Sequence, residues 1–229
     1  MVTENFVILG DEGPARGTPR SVAQESAIGR YEYRVWPQDA PPAVALLQQF
    51  WPLVGAERRT DLYLLTEQSA VNLVKLRAGN RLEVKRRDHD LGPFQHWTHQ
   101  TYPPFPLSRP ALRALAGALG LTRLLPEAGQ SAGHLVASLG DAVPAILPMT
   151  VNKSRLLFRV GSSRAEICRV TIAGWSRLTL AVEESDPDSA LATLEALHLG
   201  HLPNRSYGDV LCRRQLAAEP SPLTSYPVN

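Results

Sequence analysis

The sequence predicts an α+β protein whose core is a closed or nearly closed antiparallel sheet of seven or eight strands. Segments that alternate polar and apolar side chains with a period of two recur along the chain, which is typical of strands with one buried face. Gly-containing turns join some of these segments into hairpins, and helical patterns occupy the connections. Runs of antiparallel hairpins favour a closed sheet over a doubly wound one.

The clearest hairpin runs from Leu73 to Arg87 and turns at residues 78–80. One face carries four cations, and the other face carries aliphatic residues. Cations on adjacent strands repel one another, so either water screens this face or the face holds a polyanion. The four cations are Lys75, Arg77, Lys85 and Arg87.

Other strands repeat this arrangement of a charged face backed by an apolar one. Glu32 and Arg34 share a face, as do Lys153 and Arg155, and single acids stand at Glu83, Glu166 and Glu183. An antiparallel sheet with one wet side explains any single strand. Three K/R-x-K/R pairs with few acids among them favour instead a barrel interior that binds a chain of phosphates.

The rest of the sequence predicts the limits of the domain and of its helices and strands. We expect residues 1–29 to form a flexible arm, residues 30–216 one domain, and residues 217–229 a flexible tail. Helix signals cover 43–54, where Pro52 should kink or end the helix, and 109–119, 187–199 and 206–216, whereas 129–139 fits a helix or a loop. The predicted strands are 30–36, 58–65, 71–77, 81–87, 95–101, 143–159, 164–173 and 177–184.

Composition excludes several classes of protein. The chain has 229 residues and a net charge of +2, which is not that of a non-specific nucleic-acid binder. Cys168 and Cys212 have no paired spacing, so we expect no disulfide framework and no zinc knuckle. This cysteine usage fits a reducing cytosol, and no apolar run approaches the roughly 20 residues of a membrane span. We therefore expect a cytoplasmic protein with no membrane partner and no sequence-specific nucleic-acid partner.

Four smaller expectations concern isolated residues. Asp61 and Glu67 should be solvated, and Glu166 could pair with Arg155 or Arg169. Cys168 should be a packed thiol rather than a nucleophile. His96 and His99 on one strand point to opposite faces, which argues against a shared metal.

The order of the charged pairs resembles a known family. The chain shows E-x-R, then K-x-R three times, then an acid in LAVEESDPDSALATLEAL, and finally NRSYGDVL. This order is similar to that of the CYTH superfamily of triphosphate tunnel enzymes, which includes thiamine triphosphatase, inorganic tripolyphosphatase and class IV adenylyl cyclase. The likeness covers about residues 29–212.

The resemblance implies an eight-stranded antiparallel barrel, with helices packed outside, that binds a triphosphate through interior Lys and Arg. It implies Mg²⁺ or Mn²⁺ bound by Glu32 and Glu183, and catalytic roles for Glu32, Arg34 and Lys85. The implied substrate is a triphosphate-containing small molecule or inorganic polyphosphate. Its implied ligands are Arg34, Lys75, Arg77, Lys85, Arg87, Lys153 and Arg155.

Two expected carboxylates are missing from the family pattern. Arg30 stands where the first Glu of E-x-E-x-K belongs, Arg34 replaces its Lys, and Ala181 stands at one position of the closing acid pair. Divalent metal held by Glu32 and Glu183 alone would bind more weakly. The resemblance thus supports polyphosphate binding better than hydrolysis.

Three functions remain open at this point. The first is a metal-dependent phosphohydrolase acting on tripolyphosphate or an organic triphosphate. The second is a catalytically impaired module that binds polyphosphate or nucleotide in the same barrel. The third is a wet-faced sheet that binds a partner chain.

Overall fold

The chain folds as an α+β protein around a closed barrel of eight antiparallel strands, which confirms the predicted fold class. The computed structural model describes residues 29–122, 129–140 and 145–218. Nearly all of the expected arm and tail therefore lies outside the described residues. Going round the barrel, the strand order is β1-β5-β4-β3-β2-β6-β7-β8.

The described residues form eight strands and five helices. The strands are β1 Arg30–Val35, β2 Leu53–Leu65, β3 Asn72–Arg77, β4 Arg81–Leu91, β5 Phe94–Thr101, β6 Leu147–Val160, β7 Ser163–Ile172 and β8 Trp175–Glu184. The helices are α1 Pro42–Phe50, α2 Arg109–Ala118, α3 Ala132–Leu139, α4 Pro187–Ala196 and α5 Tyr207–Ala218.

The two faces of each strand go to different surroundings, as the period-two pattern predicts. Outward apolar residues of β2, β3 and β4, such as Val74 and Leu82, pack under Leu115 of α2 and Leu135 of α3. On the other side of the barrel, α1 and α4 cover Tyr33 and Leu180 among others. The charged residues between these outward positions point inward. The helices therefore cover the wall of the barrel and leave its interior to polar side chains.

A third apolar cluster closes one end of the barrel. Tyr207 and Leu211 of α5 pack against Leu65, Val151 and Ile172, which lie near the ends of their strands. The opposite end, which we call the mouth, is formed by the first residues of β1, β4 and β7 and the last residues of β6 and β8. Within the described residues, α5 therefore closes one end of the interior, and Ser108 and Pro110 at the start of α2 also line the cavity.

Four predicted boundaries were wrong. β4 runs to Leu91 rather than to 87, and β6 starts at Leu147 rather than at 143. The other two lie around Pro52. The helix predicted for 43–54 ends at Phe50, and β2 starts at Leu53 rather than at 58. Pro52 explains both changes, because it cannot continue the helix and its carbonyl accepts a bond from the Arg159 amide of β6 at 3.1 Å. Residues 129–139, which fitted a helix or a loop, contain helix α3.

In the described part of the chain, no helix has both the length and the apolar character that crossing a membrane requires.

Candidate functional site: a cation-lined barrel cavity

The barrel encloses a cavity of about 1940 Å³, which we call the barrel cavity. Eleven Lys and Arg side chains line it, against four carboxylates. The charged face is therefore enclosed rather than an open wet surface, which removes the structural basis of the third candidate function. The cations are Arg30, Arg34, Arg59, Lys75, Arg77, Arg81, Lys85, Lys153, Arg155, Arg159 and Arg164; the carboxylates are Glu32, Glu83, Glu166 and Glu183.

Lys153 lies towards the closed end of the barrel cavity. Its ammonium is 3.0 Å from the Asp61 carboxylate, donates to the Tyr63 hydroxyl at 2.6 Å and lies 3.9 Å from the centre of the Tyr207 ring. Burial lowers the pKa of Lys153, and the nearby charge of Lys75 lowers it further, to about 7 despite Asp61. Lys153 can therefore gain or lose its charge near neutral pH.

Lys75 and Arg77 of β3 share the Glu83 carboxylate of β4. Their Nζ and Nε atoms lie 3.0 Å and 2.6 Å from it, and His99 Nε2 lies at 3.4 Å. Burial alone would raise the pKa of Glu83, but His99, Lys75 and Arg77 together lower it. The paired cations of the hairpin are thus fixed by one buried acid.

Glu32 joins two of the predicted substrate ligands. Its Oε1 accepts from Arg34 Nε at 2.9 Å, and its Oε2 accepts from the Lys85 ammonium. Burial would raise the pKa of Glu32, but the charges of Lys85 and Arg34 outweigh burial and lower it to about 2. Both oxygens of this carboxylate therefore already bind a cation.

Glu166 of β7 makes a similar junction with two arginines. It accepts from Arg34 Nη1 at 3.0 Å and from Arg155 Nε at 2.6 Å, so the predicted pairing with Arg155 is confirmed and Arg169 is not its partner. Arg155 also contacts Glu57 of β2. These bonds hold the guanidinium groups of β1 and β6 in fixed positions.

The mouth carries cations with few partners. Arg30, Arg159 and Arg164 line it on β1, β6 and β7, together with the carboxylate of Glu183 on β8. Burial and the charges of Arg30 and Arg159 lower the pKa of Arg164, so these groups repel one another. Nη1 of Arg30 is buried and has no hydrogen-bond partner among the described residues.

The structure does not bring Arg87 to the barrel cavity. A register irregularity follows it between β4 and β5, and its guanidinium binds the exposed Asp90 carboxylate instead. Every other predicted substrate ligand and both predicted metal ligands line the cavity.

Asp61 was predicted to be solvated, and this was wrong: its side chain is fully buried and pairs with Lys153 and Arg59. Glu57, Arg59 and Asp61 alternate along β2 in phase with Tyr63 and all point inward. The same period-two signal used for the hairpin identifies Arg59 and Asp61 within the predicted strand 58–65, and Glu57 once the strand is started earlier. Glu67 is exposed as predicted, Cys168 is a buried free thiol, and of the two histidines only His99 lines the cavity.

The NRSYGDVL segment positions the closed end. The Asn204 side chain accepts from the Arg34 amide at 2.9 Å and donates to the carbonyls of Glu32 and Pro93. Ser206 and Asp209 bond reciprocally at the start of α5. A Cβ atom on Gly208 would lie 1.8 Å from the Ser69 carbonyl oxygen, so only glycine permits this approach. The segment therefore anchors β1 and places Tyr207 in the barrel.

The carboxylates present do not fit the Mg²⁺ or Mn²⁺ site that the resemblance implies. Hard divalent cations need several free oxygen ligands. Glu32 has none free, and no group of three or more acidic, His or Cys side chains among the described residues could hold a metal. Glu183 lies opposite Glu32 on β8 and forms no ion pair with a described residue, so it is the one predicted ligand that remains open.

No family model and no curated protein matches the chain. Solved structures that are similar include HpAC1 from Hippeastrum, described as having a dominant triphosphatase activity, at 14% identity and a TM-score of 0.49 over 86% of this chain and 100% of that one. PH1012 from Pyrococcus horikoshii is 14% identical, with a TM-score of 0.47 over 79% of this chain and 93% of that one. The RNA triphosphatase Pct1 from S. pombe is 12% identical, with a TM-score of 0.38 over 86% and 84%. The chain is similar to these solved structures.

Proposed function

We propose that the barrel cavity binds a triphosphate-containing small molecule or inorganic polyphosphate. The observation that carries the proposal is the excess of cations inside the barrel, where eleven line the cavity against four lining carboxylates and the inward Glu57 and Asp61. Lys and Arg are the side chains that bind phosphate oxygens, Arg through paired N–H groups and Lys as a point charge. Enclosure strengthens these interactions, because buried charges are screened less than exposed ones.

A linear anion fits this arrangement better than a compact one. The cations extend from Arg30 and Arg164 at the mouth to Lys153 near the closed end, so several phosphate groups in a row can each be neutralised. Since α5 closes the far end, a polyphosphate would enter with its terminal phosphate first. Any organic group on the substrate would stay nearer the mouth.

Calorimetric titration of the full chain with ortho-, pyro- and tripolyphosphate at matched ionic strength tests this proposal. We expect affinity to rise about tenfold with each added phosphate, as each one gains a charge-assisted contact. Equal affinities for the three anions, or no heat with tripolyphosphate, would contradict the proposal.

A metal-dependent triphosphatase is the second candidate, favoured by Glu183 alone, the one predicted metal ligand that forms no ion pair with a described residue. The test is orthophosphate release from tripolyphosphate with Mg²⁺ or Mn²⁺, comparing the wild type with Glu183→Gln. Release that is lost in Glu183→Gln while tripolyphosphate binding persists would support hydrolysis; no release by the wild type would leave a binding module.

A further inference from the structure

The barrel cavity uses cations at places where carboxylates would be needed to bind a metal. Arg30 lies two residues before Glu32 on the inward face of β1. Ala181 of β8 also faces the cavity, opposite Arg34 on one side and Glu166 on the other. These two positions flank Glu32 and Glu183, and neither offers an oxygen ligand.

Apart from Glu183, the carboxylates that point inward are already neutralised. Asp61 pairs with Lys153 and Arg59, and Glu83 pairs with Lys75 and Arg77. A divalent cation would have to displace an ammonium or guanidinium group from each of them. Displacing one partner of a buried pair leaves an uncompensated charge, which is strongly unfavourable.

Arg30 has a buried group that is available to a ligand. It has no ion pair with a described residue, and its buried Nη1 lacks a hydrogen-bond partner within the part of the chain that the structure describes. A phosphate oxygen at the mouth would satisfy this group. A metal ion in the same place would be repelled by it.

We propose that the barrel cavity binds the free polyphosphate anion without a divalent metal, with Arg30 acting where a metal-binding tunnel would have a carboxylate. This inference rests on the proposed function and adds the sign of the effect that Mg²⁺ has on polyphosphate binding. Mg²⁺ binds polyphosphate in solution and reduces its negative charge, so Mg²⁺ competes with the protein for the ligand. Metal therefore weakens binding instead of enabling it.

Titration of the full chain with tripolyphosphate, in EDTA and again in millimolar Mg²⁺, tests the inference. The expected result is saturable binding in EDTA that becomes about tenfold weaker in Mg²⁺. Binding that requires Mg²⁺, or that Mg²⁺ strengthens, would overturn the inference and leave the proposed function intact. No binding in either buffer would overturn the proposed function itself.

Two variants test the assigned positions. Arg30→Glu combined with Ala181→Glu restores oxygen ligands beside Glu32 and Glu183, and we expect Mg²⁺ to strengthen its tripolyphosphate binding. Arg30→Ala is the matched control, which should bind more weakly in EDTA and gain no positive response to Mg²⁺. An unchanged Mg²⁺ response in the folded double variant would contradict the roles of these positions, and the wild-type titration decides the inference if that variant does not fold.

Discussion

The Lys153 ammonium lies 3.0 Å from the Asp61 carboxylate, and both side chains are buried inside the barrel. One acid does not keep this lysine fully charged, because burial and the charge of Lys75 hold its pKa at about 7. This buried cation of the barrel cavity is therefore charged at pH 6 and largely neutral at pH 8.5.

Tripolyphosphate affinity should depend on this titration. A bound anion favours the ammonium form, so binding takes up a proton above pH 7, and the Lys153 contribution to affinity falls by up to about tenfold per pH unit. We expect calorimetry between pH 6 and 8.5 to show this fall in the wild type. Titrations in buffers of different ionisation enthalpy should show the proton uptake directly.

Lys153→Met is the control for the ionisation of the ligand itself, since it removes the titrating group and keeps the apolar stem. The ratio of wild-type to Lys153→Met affinity should be larger at pH 6 than at pH 8.5. Parallel pH profiles for the two proteins would show that Lys153 does not contact the anion.

Lys85 should contribute directly to binding. It lies in the barrel cavity beside Glu32 and Trp97, whereas Arg86 is the next residue on the outward, exposed face of the same strand. We expect Lys85→Met to weaken tripolyphosphate binding about tenfold or more, the size of a hydrogen bond to a charged group. Arg86→Ala should bind like the wild type, and equal losses in both variants would indicate non-specific attraction.

The structure places the Arg87 side chain outside the barrel cavity, where the sequence pattern does not predict it. Arg87 shares the phase of Lys85 along β4, but its side chain binds Asp90 outside the barrel cavity. Tripolyphosphate titration of Arg87→Ala should therefore give the wild-type affinity. A loss comparable to that of Lys85→Met would mean that Arg87 reaches the ligand after all.

The stability of the fold should depend on Gly208, which lies at the closed end of the barrel. A Cβ atom there meets the backbone of Ser69, so Gly208→Ala should destabilise the fold by about 3 kcal/mol. Gly117→Ala is the matched control: Gly117 is exposed in helix α2, nothing lies within 4 Å of its added Cβ, and the change should stabilise the fold by about 0.5–1 kcal/mol. Urea unfolding measures both changes, and similar free energies for the two variants would contradict the close approach of α5.

The alternation of charged and apolar residues was enough to predict the barrel and most of its lining. It was informative because a closed sheet has only two faces, and the helices cover the outer one. The same pattern misplaced Arg87, because an irregularity between two strands changes where a side chain goes without changing its phase in the sequence.

Contacts between residues far apart in the sequence could not be predicted. Asn204 binds the backbone of Arg34, 170 positions earlier, and no local pattern indicates this. Nor does composition reveal that both oxygens of Glu32 accept bonds from Lys85 and Arg34. These bonds are the reason why Glu32 does not fit a divalent-metal site. Asp61 was predicted to be solvated although it lies inside the predicted strand 58–65, because no local pattern shows that Lys153 of β6 pairs with it.

Determining the crystal structure of the protein with tripolyphosphate tests the central claim most directly. We expect the phosphate chain inside the barrel, with its terminal phosphate towards Lys153 and its other end near Arg30. Tripolyphosphate found only on the outer surface, with the barrel cavity free of phosphate, would contradict the claim.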